Sequence, residues 1–340
     1  MRILLHADVD LSLPGGLETH VRELARALGG RGHEVEIFGR PESLAGFRMN
    51  RSLEPARFDV VHLHDLGAPA ALAAHPARVR TFHFCTAAKM SVYVRLGRIQ
   101  TLANRANWRA VAVERAAARS RDSRILVSKR LRDEFVRWHG LDPTRATVIS
   151  NGAGFDPPVQ DRDTLRREAG ISPESRVLIT IGRADFVKGF DLLARARRAS
   201  PAASAGMTWV TVGGAAPSRS PGRVITGPLD PQQVIDWIHA ADLGAMPSYY
   251  EGGGIALLEM LAGGLYTLAH DVGIAAEVIR PGVNGVIVER SVDAWRAALS
   301  AAASRPPARV RPGLPDEFRW SAIAERTERV YEAALARSAR

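Results

Sequence analysis

Residues 2–38 read RILLHADVDLSLPGGLETHVRELARALGGRGHEVEIF. The short apolar run from Arg2 to Ala7 reads as a strand, and the loop DVDLSLPGG follows it. From Leu17 to Leu28 the residues Leu17, Val21, Leu24 and Leu28 recur on a helical period, and Gly29-Gly30 ends the helix. His33–Phe38 reads as a second strand. Strand, glycine loop, helix and strand make a βαβ unit, and a crossover of that kind returns the chain to a parallel neighbour.

The same alternation continues outward. Asp59–Leu63 (DVVHL), Val79–Phe84 (VRTFHF), Ser123–Val127 (SRILV) and Ala146–Ile149 (ATVI) are short runs suited to strands buried on both faces. Asn151–Asp161, NGAGFDPPVQD, breaks the pattern with glycine and proline and reads as an interdomain linker. A second set follows it. Strands are expected at Arg176–Gly182, at Thr208–Val212 ending in Gly213-Gly214, and at Arg223–Thr226, Leu243–Met246, Tyr266–Ala269 and Gly285–Val288. Helices are expected at Asp191–Ala199 and Pro231–Ala240. Trp320–Ala336 closes the chain as an amphipathic helix, with Ile323, Thr327, Val330, Tyr331 and Leu335 on one stripe. The fold class is therefore α/β, with two doubly wound, Rossmann-like domains. Ligands of such domains bind beyond the carboxyl ends of the strands, here in the cleft between the halves.

Composition narrows the function classes. The chain has 340 residues, 46% hydrophobic and 24% charged, an ordinary globular balance with length for about two domains. One cysteine, Cys85, excludes an internal disulfide and suits a reducing compartment. The apolar run at the N-terminus is too short for a signal peptide, and no stretch supplies the ~20 apolar residues of a membrane span. A cytoplasmic protein is expected. The net charge of +10 favours anionic partners. No zinc-ligand pair or aromatic RNA-binding strand accompanies that charge, so nucleic acid is not among the expected partners.

The richest stretch for chemistry is Met246–Gly264, MPSYYEGGGIALLEMLAGG. Glu251 precedes Gly252, Gly253 and Gly254, and an apolar helix begins at Ile255. Glu259 is the single charge within that helix, and its helical neighbours Ile255, Ala256, Ala262 and Gly263 are all non-polar. A carboxylate in apolar surroundings calls for a hydrogen-bonding partner. The glycines let a ligand approach the backbone, and the helix start suits an anion. After the strand Arg176–Gly182 comes Gly182-Arg183-Ala184-Asp185-Phe186-Val187-Lys188-Gly189. Taken alone, Arg183 and Lys188 there read as a solvated loop, with a diphosphate clamp, the arginine as a fork and the lysine as a point charge, as the alternative.

Other residues compete for attention. His62 and His64 alternate beside Asp65 and read as a structural pair rather than a metal pair. His20 faces either the cleft or solvent. Cys85 has no evident partner. Asp8-Val9-Asp10 and Asp161-Arg162-Asp163 each spell a D-x-D, too weak a pattern to imply a metal. Between Lys89 and Arg121, Val92, Leu96, Ile99, Ala103, Ala106, Ala110 and Val113 fall on one helical stripe, and Lys89, Arg95, Arg98, Arg105 and Arg109 lie largely off it. Glu114 is the sole acid of that segment. The expectation is a domain helix burying its stripe, with weak peripheral contact to an anionic membrane as the alternative.

Taken together, Gly15-Gly16, VISNGAGFD, GRADFVKGFDLL, Gly213-Gly214, the pair Glu251/Glu259 and the closing FRWSAIAERTERVYEAAL resemble the family-4 glycosyltransferases of GT-B fold over nearly the whole chain. The spacings G-R-x4-K-G and E-x7-E together are its most specific part. The resemblance implies an N-terminal acceptor-binding domain at residues 1–155, a donor-binding domain at 156–319, and a closing helix at about 320–340 that packs back on the first. It implies that Arg183 and Lys188 hold the donor diphosphate and stabilise the leaving group, with Gly182 at the head of their loop. Glu251 would contact hydroxyls of the transferred sugar, and Glu259 the ribose. Gly252, Gly253, Gly254 and Ile255 would offer the glycine-run and helix-start backbone to the donor. Gly15 and Gly16 would supply the loop over the diphosphate, and His83 would lie near the reacting sugar. The implied activity is retaining, metal-independent transfer from a nucleotide-diphosphate sugar, a UDP- or GDP-sugar, with no cofactor and an acceptor left open. An epimerase acting on nucleotide sugars and a non-catalytic nucleotide-sugar-binding protein are the alternatives. Three positions depart from the family's habit. Gly253 replaces a bulky residue, Tyr266 stands where a proline is common, and Ile274 replaces the second glycine of the turn at Asp271.

Overall fold

The structure, a computed structural model, describes residues 1–338 apart from 65, 66, 68, 306 and 312. It divides into two compact units, Met1–Gly152 with Glu317–Arg340, and Ala153–Asp316.

In the first unit the described strands are β1 (Arg2–Asp10), β2 (Glu34–Arg40), β3 (Arg48–Met49), β4 (Val60–Leu63), β5 (Arg78–Phe82), β6 (Ser123–Leu126) and β7 (Ala146–Val148). They form one sheet in the order β3-β2-β1-β4-β5-β6-β7, parallel throughout. Strand alternation sorts β1 onto two cores. Ile3, Leu5 and Ala7 face Val21, Leu24 and Leu28 of the helix Gly16–Gly30 and Ile323 and Tyr331 of the closing helix Trp320–Ser338. Leu4 turns the other way, to Phe58, Val61, Leu63 and Leu72. The closing helix buries Ile323, Ala324, Thr327, Val330, Tyr331 and Ala334. Its stripe runs through Ala334, and Leu335 is only half-buried.

The second unit holds β8 (Arg176–Arg183), β9 (Met207–Ser220), β10 (Arg223–Gly227), β11 (Leu243–Met246), β12 (Thr267–Ala269) and β13 (Gly285–Ile287), ordered β10-β9-β8-β11-β12-β13. Each sheet thus reverses its direction of growth beside its first strand, at β1/β4 and at β8/β11. Loops that leave the carboxyl ends of those two pairs diverge and open a crevice.

Three expectations are corrected. β1 runs on to Asp10, so Asp8-Val9-Asp10 is strand rather than loop. β9 does not stop at Gly213-Gly214. Its later residues Ser220, Arg219 and Ser218 pair with Arg223, Val224 and Ile225, which also pair with Trp209, Val210 and Thr211. The chain therefore folds back along β10 past the two glycines. The segment Lys89–Arg121 is not one helix. It is the end of a helix Thr86–Arg95, a 3-10 turn Ile99–Ala103 and a helix Arg105–Ala118 capped by the Asn104 side chain. Gly97 and the capping Asn104 interrupt the apolar period that the sequence carries across them. Among the described residues no helix is long and apolar enough to cross a membrane.

Candidate active site

The second unit builds its site at the carboxyl ends of β8 and β11. Val177, Leu178 and Ile179 anchor β8 in the core, and the strand surfaces at Arg183, which is exposed. Asp185 then caps a 3-10 turn, Phe186–Lys188, by accepting from the Val187 amide. Gly189 follows at φ 66°, where a Cβ would stand 1.9 Å from the Pro247 carbonyl oxygen. Only glycine allows the loop after β8 to press on the loop after β11 so closely. The Tyr249 amide donates to the Val187 carbonyl at 2.7 Å and ties the two loops together.

That contact brings Lys188 to Glu251, with Nζ 2.8 Å from Oε1. Ser248 Oγ donates to the same oxygen at 2.7 Å. Gly182 makes room for the lysine stem, since a Cβ there would lie 3.1 Å from Lys188 Cε. Behind Ser248 stands His270, fully buried. Trp295 Nε1 donates to its Nε2 at 2.7 Å, which leaves Nδ1 to donate to the Ser248 carbonyl at 2.9 Å. Burial pushes the imidazole down to about 4, against the opposing pull of that carbonyl, so it is neutral at pH 7. Glu251 is held by a chain of donors that begins at Trp295.

Gly252, Gly253 and Gly254 are buried, and Gly254 precedes the helix Ile255–Ala262. Leu257, Leu258, Met260 and Leu261 are the buried face of that helix. Ile255, Ala256, Glu259, Ala262 and Gly263 are half-buried and form its open side. Glu259 is therefore not sealed in a core. At the turn after Asp271, Gly273 packs against Glu251, where a Cβ would stand 3.1 Å from the Glu251 Cβ. The glycine retained in that turn is the one the site needs.

The first unit carries Gly15, Gly16 and His83 near the carboxyl edge of its own sheet. Gly15 precedes the helix Gly16–Gly30, and the Glu18 side chain curls back over it. His83 follows β5 and is half-buried. Its Nε2 lies 3.2 Å from His64 Nδ1. His20 is buried rather than solvent-facing, and its Nδ1 is 2.8 Å from Asn151 Oδ1. Burial holds His20 down at about 4 and His64 and His83 well below the usual imidazole range. His62 bridges the Tyr331 hydroxyl and Thr81 Oγ1, both at 2.7 Å, a structural role as expected. Asp65 lies outside the described residues.

Cys85 does have a partner. Its Sγ lies 3.5 Å from His139 Nε2, and burial pushes the thiol up to about 12. His139 Nε2 is also 3.0 Å from Glu114, which is fully buried and takes the Thr86 amide at 2.8 and 2.9 Å. Asp10 accepts from the Ser12 amide and hydroxyl, and Asp161 caps a helix through the Thr164 amide. Sequence reading missed Ser248, His270, Trp295 and Asn151, whose neutral side chains act through partners distant in the chain.

The model of glycosyl transferases group 1 matches residues 161–313, and that of glycosyltransferase family 4 matches residues 39–154. A D-inositol 3-phosphate glycosyltransferase of Xylanimonas cellulosilytica is 27% identical over 84% of this chain and 83% of its own length. Among solved structures, sucrose-phosphate synthase from Thermosynechococcus elongatus superposes with a TM-score of 0.79 at 20% identity, covering 99% of both chains. HepE of Anabaena in complex with UDP-glucose superposes with a TM-score of 0.70 at 18% identity, over 99% of this chain and 98% of its own. Matched family by family across both units, with that architecture in each, the chain is a family-4-type glycosyltransferase of the GT-B fold.

Proposed function

We propose that the enzyme transfers a sugar, with retention and without a metal, from a nucleotide-diphosphate sugar to an acceptor hydroxyl. The observation that carries this reading is the ion pair of Lys188 with Glu251 where the loops after β8 and β11 meet, with Arg183 exposed at the end of β8. Breaking the bond from the sugar C1 to the diphosphate oxygen leaves the electron pair on that oxygen. Arg183 and Lys188 are the preorganised cations that offset it. Lys188 has three N–H donors and gives one to Glu251, so it can hold the carboxylate and a phosphate together. Glu251 accepts from hydroxyls of the sugar, and Glu259, on the open side of its helix, accepts from the ribose. The acceptor oxygen bonds to C1 on the face the diphosphate leaves, and its proton passes to the departing phosphate oxygen. His83 is assigned to the neighbourhood of the reacting sugar. The UDP-glucose bound by HepE supports a UDP-sugar as first donor to try.

The test is a panel of UDP- and GDP-sugars, first for thermal stabilisation and then for transfer or slow hydrolysis, in the presence of a chelator. Donor turnover that survives chelation, with the product anomer matching the donor, supports the reading. Conversion of the donor to its epimer without acceptor, or loss of turnover on chelation, overturns it.

We further propose that the surface between residues 89 and 121 makes weak peripheral contact with anionic membrane. Ile99, Leu102, Trp108 and Val113 are exposed beside the exposed Arg95, Arg105, Arg109 and Arg115. The segment's sole acid, Glu114, is turned inward and buried, so no carboxylate opposes an acidic surface there. Apolar and cationic side chains together are the composition of an interfacial anchor. Co-sedimentation with phosphatidylglycerol vesicles, weakened by Trp108→Ser and by salt, is expected. Equal recovery with neutral vesicles would count against it.

A further inference from the structure

Beside the switch point of the first sheet, three imidazoles from different elements converge. His20 comes from the helix Gly16–Gly30, His64 from the end of β4 and His83 from the end of β5. Each offers a ring nitrogen, and the three lie within 4.8 Å of one another. His64 Nδ1 and His83 Nε2 are 3.2 Å apart. Two nitrogens on one tetrahedral zinc ion, each about 2.0–2.1 Å from it, are about 3.3 Å apart.

The tautomer of His20 agrees with that spacing. Asn151 Oδ1 sits 2.8 Å from His20 Nδ1 and can take only a proton from it, which leaves His20 Nε2 as the bare lone pair. That nitrogen is buried and has no hydrogen-bond partner among the described residues. A ligating histidine commonly donates its other N–H to an oxygen that fixes its tautomer, and Asn151 stands in that place. His20 and His64 are 3% exposed, and His83 is half-buried, so the cluster opens to solvent on the His83 side.

We infer that His20, His64 and His83 form a binding site for a divalent transition metal ion of the zinc class, with solvent in the remaining position. Imidazole nitrogens suit zinc, cobalt, nickel and copper, and not magnesium or calcium. The rings bind as neutral ligands. The second buried cluster, Cys85 with Glu114 and His139, is a weaker rival. Its carboxylate is already engaged by the Thr86 amide and by His139. The inference concerns metal binding alone and stands whether or not the transfer reaction proposed above is correct.

The experiment titrates the untagged, chelator-treated full chain with Co²⁺ and reads its visible absorption. One equivalent per chain is expected to give the intense bands of a tetrahedral site, without a near-ultraviolet thiolate charge-transfer band, and Zn²⁺ is expected to displace it. His64→Ala should abolish the bands, and Cys85→Ser should leave them intact. Asn151→Ala should weaken affinity by about 10- to 100-fold, the usual cost of losing such a supporting contact. If His64→Ala fails to fold, the Asn151→Ala and Cys85→Ser titrations decide. Absence of tetrahedral bands in the wild-type chain, unchanged affinity in Asn151→Ala, or bands lost in Cys85→Ser would each overturn the inference.

Discussion

Lys188 Nζ lies 2.8 Å from Glu251 Oε1, with side chains 23% and 15% exposed. The two residues lie on separate loops and have different expected ligands, the diphosphate and the sugar, yet they form one unit. On the proposed roles, one cation both steadies the leaving group and orients the carboxylate that reads the sugar.

Lys188→Ala should therefore lose more than one phosphate contact. Removing a preorganised donor to developing negative charge costs about 10²–10³ in kcat. Glu251 would keep only Ser248 of its two named donors, so affinity for the sugar should fall as well. Because the residues act as a pair, Lys188→Ala with Glu251→Ala should cost much less than the product of the single effects. A double-mutant cycle on kcat/KM measures this, and strict additivity would contradict a shared role.

Gly189→Ala tests how the two loops are joined. The residue has φ 66°, and a Cβ there would stand 1.9 Å from a backbone oxygen that cannot move without moving Pro247. The left-handed conformation alone costs about 1–2 kcal/mol, and the clash adds to it. A loss of roughly 2–4 kcal/mol in urea unfolding is expected, together with weaker donor binding. Gly170→Ala, also at positive φ but with open space around it, should show the conformational cost alone.

Much of this was legible in the sequence, and the limits have physical causes. Apolar runs between glycines located β1, β4, β8 and β11, because strands buried on both faces need little more than apolar length. Arg183, Lys188, Glu251 and Glu259 stood out by charge and spacing. The support behind Glu251 did not. Ser248, His270 and Trp295 are neutral and link by hydrogen bonds across 22 and 25 residues, which no local period records. Glu114 looked like one acid on a basic surface, but its oxygens face inward to Thr86 and His139. The period from Val92 to Val113 misled because Gly97 and Asn104 break the backbone while the apolar spacing runs through them.

Glu114→Ala should unfold the first unit far more easily than its place in a basic segment suggests. The carboxylate is 0% exposed, and its loss strands the buried Thr86 amide and leaves the buried His139 ring nitrogen only the Cys85 thiol. An unsatisfied buried donor costs about 1–3 kcal/mol, so a loss of about 3 kcal/mol or more is expected in denaturant unfolding. Glu114→Gln keeps the volume and one acceptor and should fall between.

Acid should destabilise the fold over a defined window. Burial holds His270 down at about 4 when folded, below the ordinary value of 6.5 that the unfolded chain regains. Between those values the unfolded state binds more protons, so stability rises with pH. The contribution is fully present above about pH 6.5 and is lost as pH falls toward 4. His270 accounts for up to about 3 kcal/mol across that range. His270→Gln should flatten the dependence of the melting temperature on pH between 6.5 and 4, and an unchanged slope would remove His270 from the account.

Arg183 separates charge from geometry at the donor site. It is exposed at the end of β8, so its truncation should leave the unliganded protein as stable as the parent, within about 0.5 kcal/mol. Its effect should appear only with donor. A ligand at 100 times its Kd stabilises by about 2.7 kcal/mol, and each tenfold loss of affinity takes about 1.4 kcal/mol from that. Arg183→Ala should lose at least one such step, and kcat should fall further, because the guanidinium does most where charge develops on the leaving diphosphate. Arg183→Lys keeps the charge but not the forked contact, and should recover part of the thermal shift and little of the turnover. If both variants melt and turn over like the parent in saturating UDP-sugar, Arg183 does not touch the diphosphate, and the clamp reduces to Lys188 alone.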